Sequence, residues 1–117
     1  MTESELGWDF ADVPGGRIVA PSGRVDESTA TAFGDGLVAA VRDTHAVGGA
    51  GLAIDLAAVQ YMSSRGLRAL TLAQRKGTEL GIAIVLTRPN AVMREILAIS
   101  RYDKVFRVFE RNEDALA

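Results

Sequence analysis

Hydrophobic and polar positions alternate from Leu6 to Val13, with Leu6, Trp8 and Phe10 on one side and Gly7, Asp9 and Ala11 on the other. A period of two marks a half-buried strand. Pro14-Gly15-Gly16 imposes a turn, and Arg17 to Ala20 resumes the extended pattern with Ile18 and Val19. The two segments read as a hairpin at one edge of a sheet, ended by Pro21 and Gly23. From Glu27 the period lengthens. Ala30, Phe33, Leu37, Ala40, Val41 and Thr44 recur at spacings of three and four, which places one apolar stripe along a helix. Asp26 reads as its N-cap, and Glu27 complements the positive end of its dipole.

Gly48-Gly49-Ala50-Gly51 breaks that helix, and Leu52 to Leu56 follows, too short for a helix and apolar on both faces. This is the pattern of a central parallel strand covered on each side. After a loop, Ser64 to Gly81 is helical again: Leu70, Ala73, Gly77 and Leu80 share a face, with Leu67 at its margin, opposite Arg65, Arg68, Arg75, Lys76 and Glu79. Ile82 to Leu86 reads as another buried strand. Pro89-Asn90 opens a helix carrying Val92, Met93, Ile96 and Leu97, Val105 to Phe109 reads as a last strand, and Asn112 as the cap of a short final helix. The succession β-β-α-β-α-β-α-β-α predicts an α/β domain spanning residues 1–117, a mostly parallel sheet with an N-terminal edge hairpin and about four helices packed against it.

Composition removes several chemistries. With 48% hydrophobic and 24% charged residues the chain is globular, and a formal charge of −2 gives no cationic footprint for nucleic acid or an anionic bilayer. Without cysteine there is no disulfide, thiolate nucleophile or thiolate zinc site, and one histidine, His45, cannot build a histidine metal centre. His45 reads instead as a surface residue at a helix C-terminus. The acidic start and short apolar runs predict no signal peptide and no membrane insertion, hence a cytoplasmic protein with no cofactor.

In open α/β sheets, sites gather beyond the C-terminal strand ends, where loops lead into helix N-termini. Here that place is Asp55 to Leu70, where Ser63-Ser64-Arg65-Gly66-Leu67-Arg68 opens a helix. A serine pair before a helix is ordinarily a cap. The same spot also favours an anion, and a phosphate on Ser64 would have Arg65 or Arg68 near enough to pair with it. Gly66 in the first turn, costing up to about 1 kcal/mol relative to alanine, points to close approach by another backbone or a partner. Leu72 falls on the charged, outward face.

Tyr61-Met-Ser-Ser-Arg-Gly-Leu-Arg-Ala-Leu70, preceded by Leu52-Ala-Ile-Asp-Leu56, resembles the signature of the STAS domain, the sulphate transporter and anti-sigma factor antagonist family. Gly23-Arg-Val-Asp26 is similar to the family's Gly-x-Leu-Asp, and Ser100 to Phe106 with Glu113 to Leu116 resembles its C-terminal pattern, so the likeness covers essentially the whole chain. It implies a non-catalytic regulatory switch. On that resemblance Ser64 falls on the serine phosphorylated by an anti-sigma factor that is itself an ATP-dependent serine kinase, and the unmodified protein binds this kinase and frees the sigma factor. A PP2C-type serine phosphatase resets the cycle. Asp26 falls on the loop aspartate beside the phosphosite, and Ser63, Arg65, Gly66, Arg68 and Leu72 border the partner surface. Where many members carry Asp-Ser-Ser/Thr-Gly, this chain has Ser63 in place of the aspartate and Arg65 in place of the second hydroxyl residue, so Ser63 stands as an alternative acceptor.

Other classes fit less well. A two-component receiver needs an acidic pair after its first strand and a lysine after its last; Asp9 and Asp12 are not adjacent, and Asp55 reads as lying inside its strand. No phosphate-cradling glycine motif follows a strand. The alternative within the family is a soluble subunit of a transporter or stress-signalling complex.

Overall fold

The structure, a computed structural model, describes residues 6–116. The alternating N-terminal segment forms β1 (Gly7–Val13), paired antiparallel with β2 (Gly16–Val25) through a turn in which Gly15 takes the positive φ of 93° that a side chain disfavours. Then follow α1 (Ala30–Ala46), β3 (Gly51–Asp55), β4 (Val59–Met62), α2 (Ser64–Leu80) and β5 (Ala83–Thr87). The chain closes with α3 (Ala91–Ser100), a 3-10 turn over Tyr102–Lys104, β6 (Val108–Phe109) and α4 (Asn112–Ala115). Strand order is β1-β2-β3-β5-β6, with every pairing beyond the hairpin parallel, and β4 pairs only with the far end of β2. The expected α/β architecture of a mostly parallel sheet, an N-terminal edge hairpin and four helices is therefore what the chain adopts.

Periodicity explains the packing. Leu52 and Ile54 of β3 and Ile84 and Leu86 of β5 share one sheet face with Phe33, Leu37 and Val41 of α1 and Leu67, Leu70 and Ala73 of α2 in a single buried cluster. Each fully buried side chain of this size contributes about 1.5–3 kcal/mol of transfer free energy. Helices α1 and α2 lie close enough that a Cβ on Gly34 would sit 3.5 Å from the Ala69 Cβ.

The alternate residues of β3 and β5 face the other way, where α4 rests. Asp55, 5% exposed, is the hub there. Its Oδ2 accepts from Arg88 Nη1 and Asn112 Nδ2, both at 2.9 Å, its Oδ1 accepts from the Ala57 amide at 2.9 Å, and the Asn112 Oδ1 accepts from the Thr87 hydroxyl at 2.5 Å. Arg88 holds a left-handed φ of 52° beside this hub, a conformation that costs a non-glycine residue about 1 kcal/mol or more. Asn90 is the second clamp: its Oδ1 caps α3 at the Met93 amide, while its Nδ2 donates to the carbonyls of Leu56, Ala57 and Val59 at 3.3, 3.1 and 2.7 Å.

Several expectations need correction. Strand β2 does not end at Ala20; it runs to Val25, because Pro21 lies in the interval where β2 has left β3 and not yet met β4, and no parallel partner there needs the missing N–H. Gly23, at φ 113°, sits where the register shifts. Val59–Met62 is a strand where a loop was expected. Asp26 is not the N-cap of α1, which starts at Ala30 behind Thr29. The Thr29 hydroxyl does not cap either, since it donates backwards to the Arg24 carbonyl at 2.7 Å and accepts from the Asp26 amide at 2.9 Å. Only Val108 and Phe109 of the expected last strand pair with β5; Val105 and Phe106 both donate their amides to the Tyr102 carbonyl and stay with the 3-10 turn. Asn112 turns inward to Asp55, leaving Arg111 at the N-cap position of α4. Phe10 is 53% exposed, so β1 buries less than its alternation suggested. Asp55 is the last residue of its strand, still paired with Thr87 of β5, and His45 is exposed in the last turn of α1, as expected of a surface residue at a helix C-terminus.

Candidate functional site at the start of the second long helix

Strand β4 delivers two serines to the head of α2. Tyr61 and Met62 pair with Arg24 and Val25, the Ser63 amide donates to the Val25 carbonyl at 2.8 Å, and the chain then turns into the helix. Ser63 is extended (φ −77°, ψ 174°) and its Oγ accepts from the Gly66 amide at 3.3 Å, the geometry of an N-cap. Ser64 is the first helical residue. It is exposed, and among the described residues its hydroxyl has no hydrogen-bond partner. It stands at the positive dipole end of α2, where the Gly66 amide is already taken by Ser63 Oγ and the Leu67 amide by the Ser63 carbonyl.

Gly66 explains how the helix comes so close to the sheet. A Cβ there would lie 2.5 Å from Met62 Cγ and 2.6 Å from Val25 Cγ1, so the close approach expected from the glycine is made by the two paired strands beneath it. Gly66→Ala is therefore expected to lower stability by about 1–2 kcal/mol, the overpacking outweighing the helix-propensity gain of up to about 1 kcal/mol. Urea unfolding of the two proteins measures the sign.

The turn between β2 and α1 stands beside the serines. The Asp26 Oδ1 accepts from the Ser28 amide at 2.9 Å and the Ser28 hydroxyl at 2.7 Å, and its Oδ2 lies 3.3 Å from Arg24 Nε. Arg24 also covers the Tyr61 ring, 4.3 Å from its centroid. The two Ser28 hydrogen bonds, helped by Arg24, hold the Asp26 carboxyl below its ordinary value of 3.8. A carboxyl depressed in the folded state stabilises above its unfolded pKa, and that contribution is lost as pH falls through the lower, folded one. The β2–α1 turn is thus expected to keep its geometry at pH 5 and to loosen only below the usual aspartate range, as the Ser28 amide resonance in a pH titration would record.

Across this turn, Arg65 Nη1 meets Glu27 Oε1 at 3.2 Å, tying the head of α2 to the turn that leads into α1. Beyond the pair lies an open groove of about 330 Å³ between α1 and α2, lined by Thr31, Gly34, Asp35 and Val38 on one side and Arg65, Arg68 and Leu72 on the other. Asp26, Ser63, Ser64, Arg65 and Gly66 are thus brought together, while Arg68 and Leu72 stand further along α2 on the groove wall. Leu72 is 43% exposed. The sequence reading missed Arg24, Glu27, Asp35 and Tyr61. Arg24 and Asp26 are two apart on an extended segment, the one local signal for their pairing; the others meet the site only through tertiary contact.

The chain is similar to known proteins over nearly its full length. A family profile described as "Mlab, STAS domain" matches residues 14–109. The anti-sigma-F factor antagonist RsfB of Mycobacterium tuberculosis is 31% identical over 107 residues, covering 91% of this chain and 83% of that protein. Among solved structures, an anti-sigma factor antagonist from Mycobacterium paratuberculosis superposes with a TM-score of 0.77 at 29% identity, covering 98% of this chain and 94% of the other. The anti-sigma factor antagonist SpoIIAA in its unphosphorylated form shares the fold alone, at TM-score 0.71 and 13% identity over 93% and 92% of the two chains.

Proposed function

Because the chain belongs to the STAS domain family, we propose that it is an anti-sigma factor antagonist, a cytoplasmic phospho-switch that in its unmodified form binds an anti-sigma factor serine kinase and releases the sigma factor. The observation that carries this reading is the division of labour between two adjacent serines. Ser63 is committed to capping α2, whereas Ser64 presents an exposed hydroxyl with no partner among the described residues. Ser64 is thus the better acceptor. The relatives named as anti-sigma factor antagonists support the regulatory role, and in it the protein is a substrate and a binding partner, not a catalyst.

Ser64 Oγ attacks the γ-phosphorus of ATP held by the kinase, the bond to the β-phosphate oxygen breaks, ADP leaves, and the hydroxyl proton passes to a base of the kinase. A PP2C-type phosphatase reverses the state by hydrolysing the ester, releasing inorganic phosphate. A phosphate brings about −1.5 to −2 charges to the middle of the contact surface, which opposes binding by repulsion and desolvation. It needs no refolding, since the helix N-terminus tolerates an anion. Among the described residues no helix is long and apolar enough to cross a membrane.

The test is to incubate the protein and its Ser63→Ala and Ser64→Ala variants with the cognate serine-kinase anti-sigma factors and ATP, mapping phosphate by mass spectrometry. Modification should survive Ser63→Ala and vanish in Ser64→Ala. No modification with any cognate kinase would sink the switch and move the reading to a STAS subunit of a transporter or stress-signalling complex.

A further inference from the structure

The end of β2 and the first turns of α2 carry three arginines, and two are already engaged: Arg24 between Asp26 and the Tyr61 ring, Arg65 on Glu27. Arg68 is different. It is exposed, makes no ion pair among the described residues, and lines the α1–α2 groove across from Asp35. It also lies four residues after Ser64 on the same helix, and helical side chains lean toward the N-terminus, so the residue at i+4 is carried back over the turn that begins at i.

We propose that Arg68 is the internal counter-ion of the switch: a phosphate on Ser64 captures its guanidinium in an intrahelical ion pair and draws it out of the groove. This rests on the assignment of Ser64 as the modified residue. Unmodified, the exposed wall of α2 offers a cation and Leu72 to an incoming partner. Once modified, the cation is spent on the phosphate, whose oxygens match the planar guanidinium fork in charge and geometry. The modification therefore acts twice, adding negative charge at the helix head and removing positive charge from the groove one turn away. The competing local partners are placed against it. Arg65 would have to leave Glu27 to reach the phosphate, Arg24 would have to leave Asp26 and the ring of Tyr61, and the carboxylates of Asp26 and Glu27 repel the phosphate from the α1 side.

The experiment is independent of any kinase. Phosphoserine is installed at position 64 by co-translational incorporation in the full chain, and its second ionisation is followed by phosphorus NMR in the otherwise wild-type protein and in the Arg68→Gln and Arg65→Gln backgrounds. Both arginines are exposed, so these variants should fold. The phosphate should titrate below the free value of about 6. Arg68→Gln should weaken its acidity by at least about twofold in dissociation constant, with a smaller change for Arg65→Gln. The Arg68 side-chain Nε–H resonance should shift on modification. An unchanged titration in Arg68→Gln, or a larger change in Arg65→Gln, overturns the proposal. If the pairing is found but no kinase modifies Ser64, the proposed function fails while the ion pair stands.

Discussion

Ser64→Asp is expected to weaken binding of the cognate anti-sigma factor by at least about 100-fold, because a wrongly placed charge in a tight contact costs several kcal/mol. The fold should not suffer. An acidic side chain in the first turn complements the helix dipole and is worth about 0.3–1 kcal/mol in its favour, so the unfolding midpoint should stay or rise slightly. Ser64→Ala should bind as the wild type does, since it removes only a hydroxyl without a partner among the described residues. Ser63→Ala should show the opposite profile: losing the hydrogen bond to the Gly66 amide should cost about 1 kcal/mol of stability while leaving the acceptor in place. Calorimetric titration against the anti-sigma factor, beside thermal unfolding of the free proteins, separates these outcomes. Tight binding by Ser64→Asp would contradict the switch.

Phe33→Ala should have the largest effect on stability, about 3–5 kcal/mol. Phe33 is fully buried, and its ring stacks on Trp8 with centroids 6.0 Å apart. Trp8 also packs against Gly36, where a Cβ would lie 2.3 Å from the indole. Removing the phenyl ring therefore leaves a cavity under the only tryptophan of the chain and unseats the edge hairpin from α1. A small domain has about 5–15 kcal/mol in all, so the variant would lose a large share of it. Trp8 fluorescence reports the change directly, as a lower denaturation midpoint and altered emission in the native state.

What was legible in the sequence was what local period and local chemistry determine. The apolar stripe from Ala30 to Thr44, the serine pair at the head of a helix and the helix opened by Pro89-Asn90 come from spacing within a turn or two, and all are as expected. The misses have a common cause. Val59–Met62 is a strand only because the end of β2 offers it a partner 36 or so residues away in sequence, and four residues carry too little periodicity to announce that. Pro21 and Gly23 are ordinary stop signals that the sheet overrides by changing partners beside them. Asn112 has the chemistry of a cap, but the buried Asp55 and Thr87 compete for its amide and win. At the site the two serines were visible as a motif, whereas the Arg65–Glu27 and Arg24–Tyr61 contacts depend on strands and helices meeting and left no local trace.

Strand β4 hangs off the main sheet, held along one edge by β2 and at its entry by the Asn90 amide. Its Val59 and Met62 reach the core, so what sets β4 apart is its single strand neighbour, and native-state hydrogen exchange is the measurement that reads whether it opens below global unfolding. The amides of Tyr61 to Gly66 should then exchange together and earlier than those of β3 and β5, which are flanked on both sides.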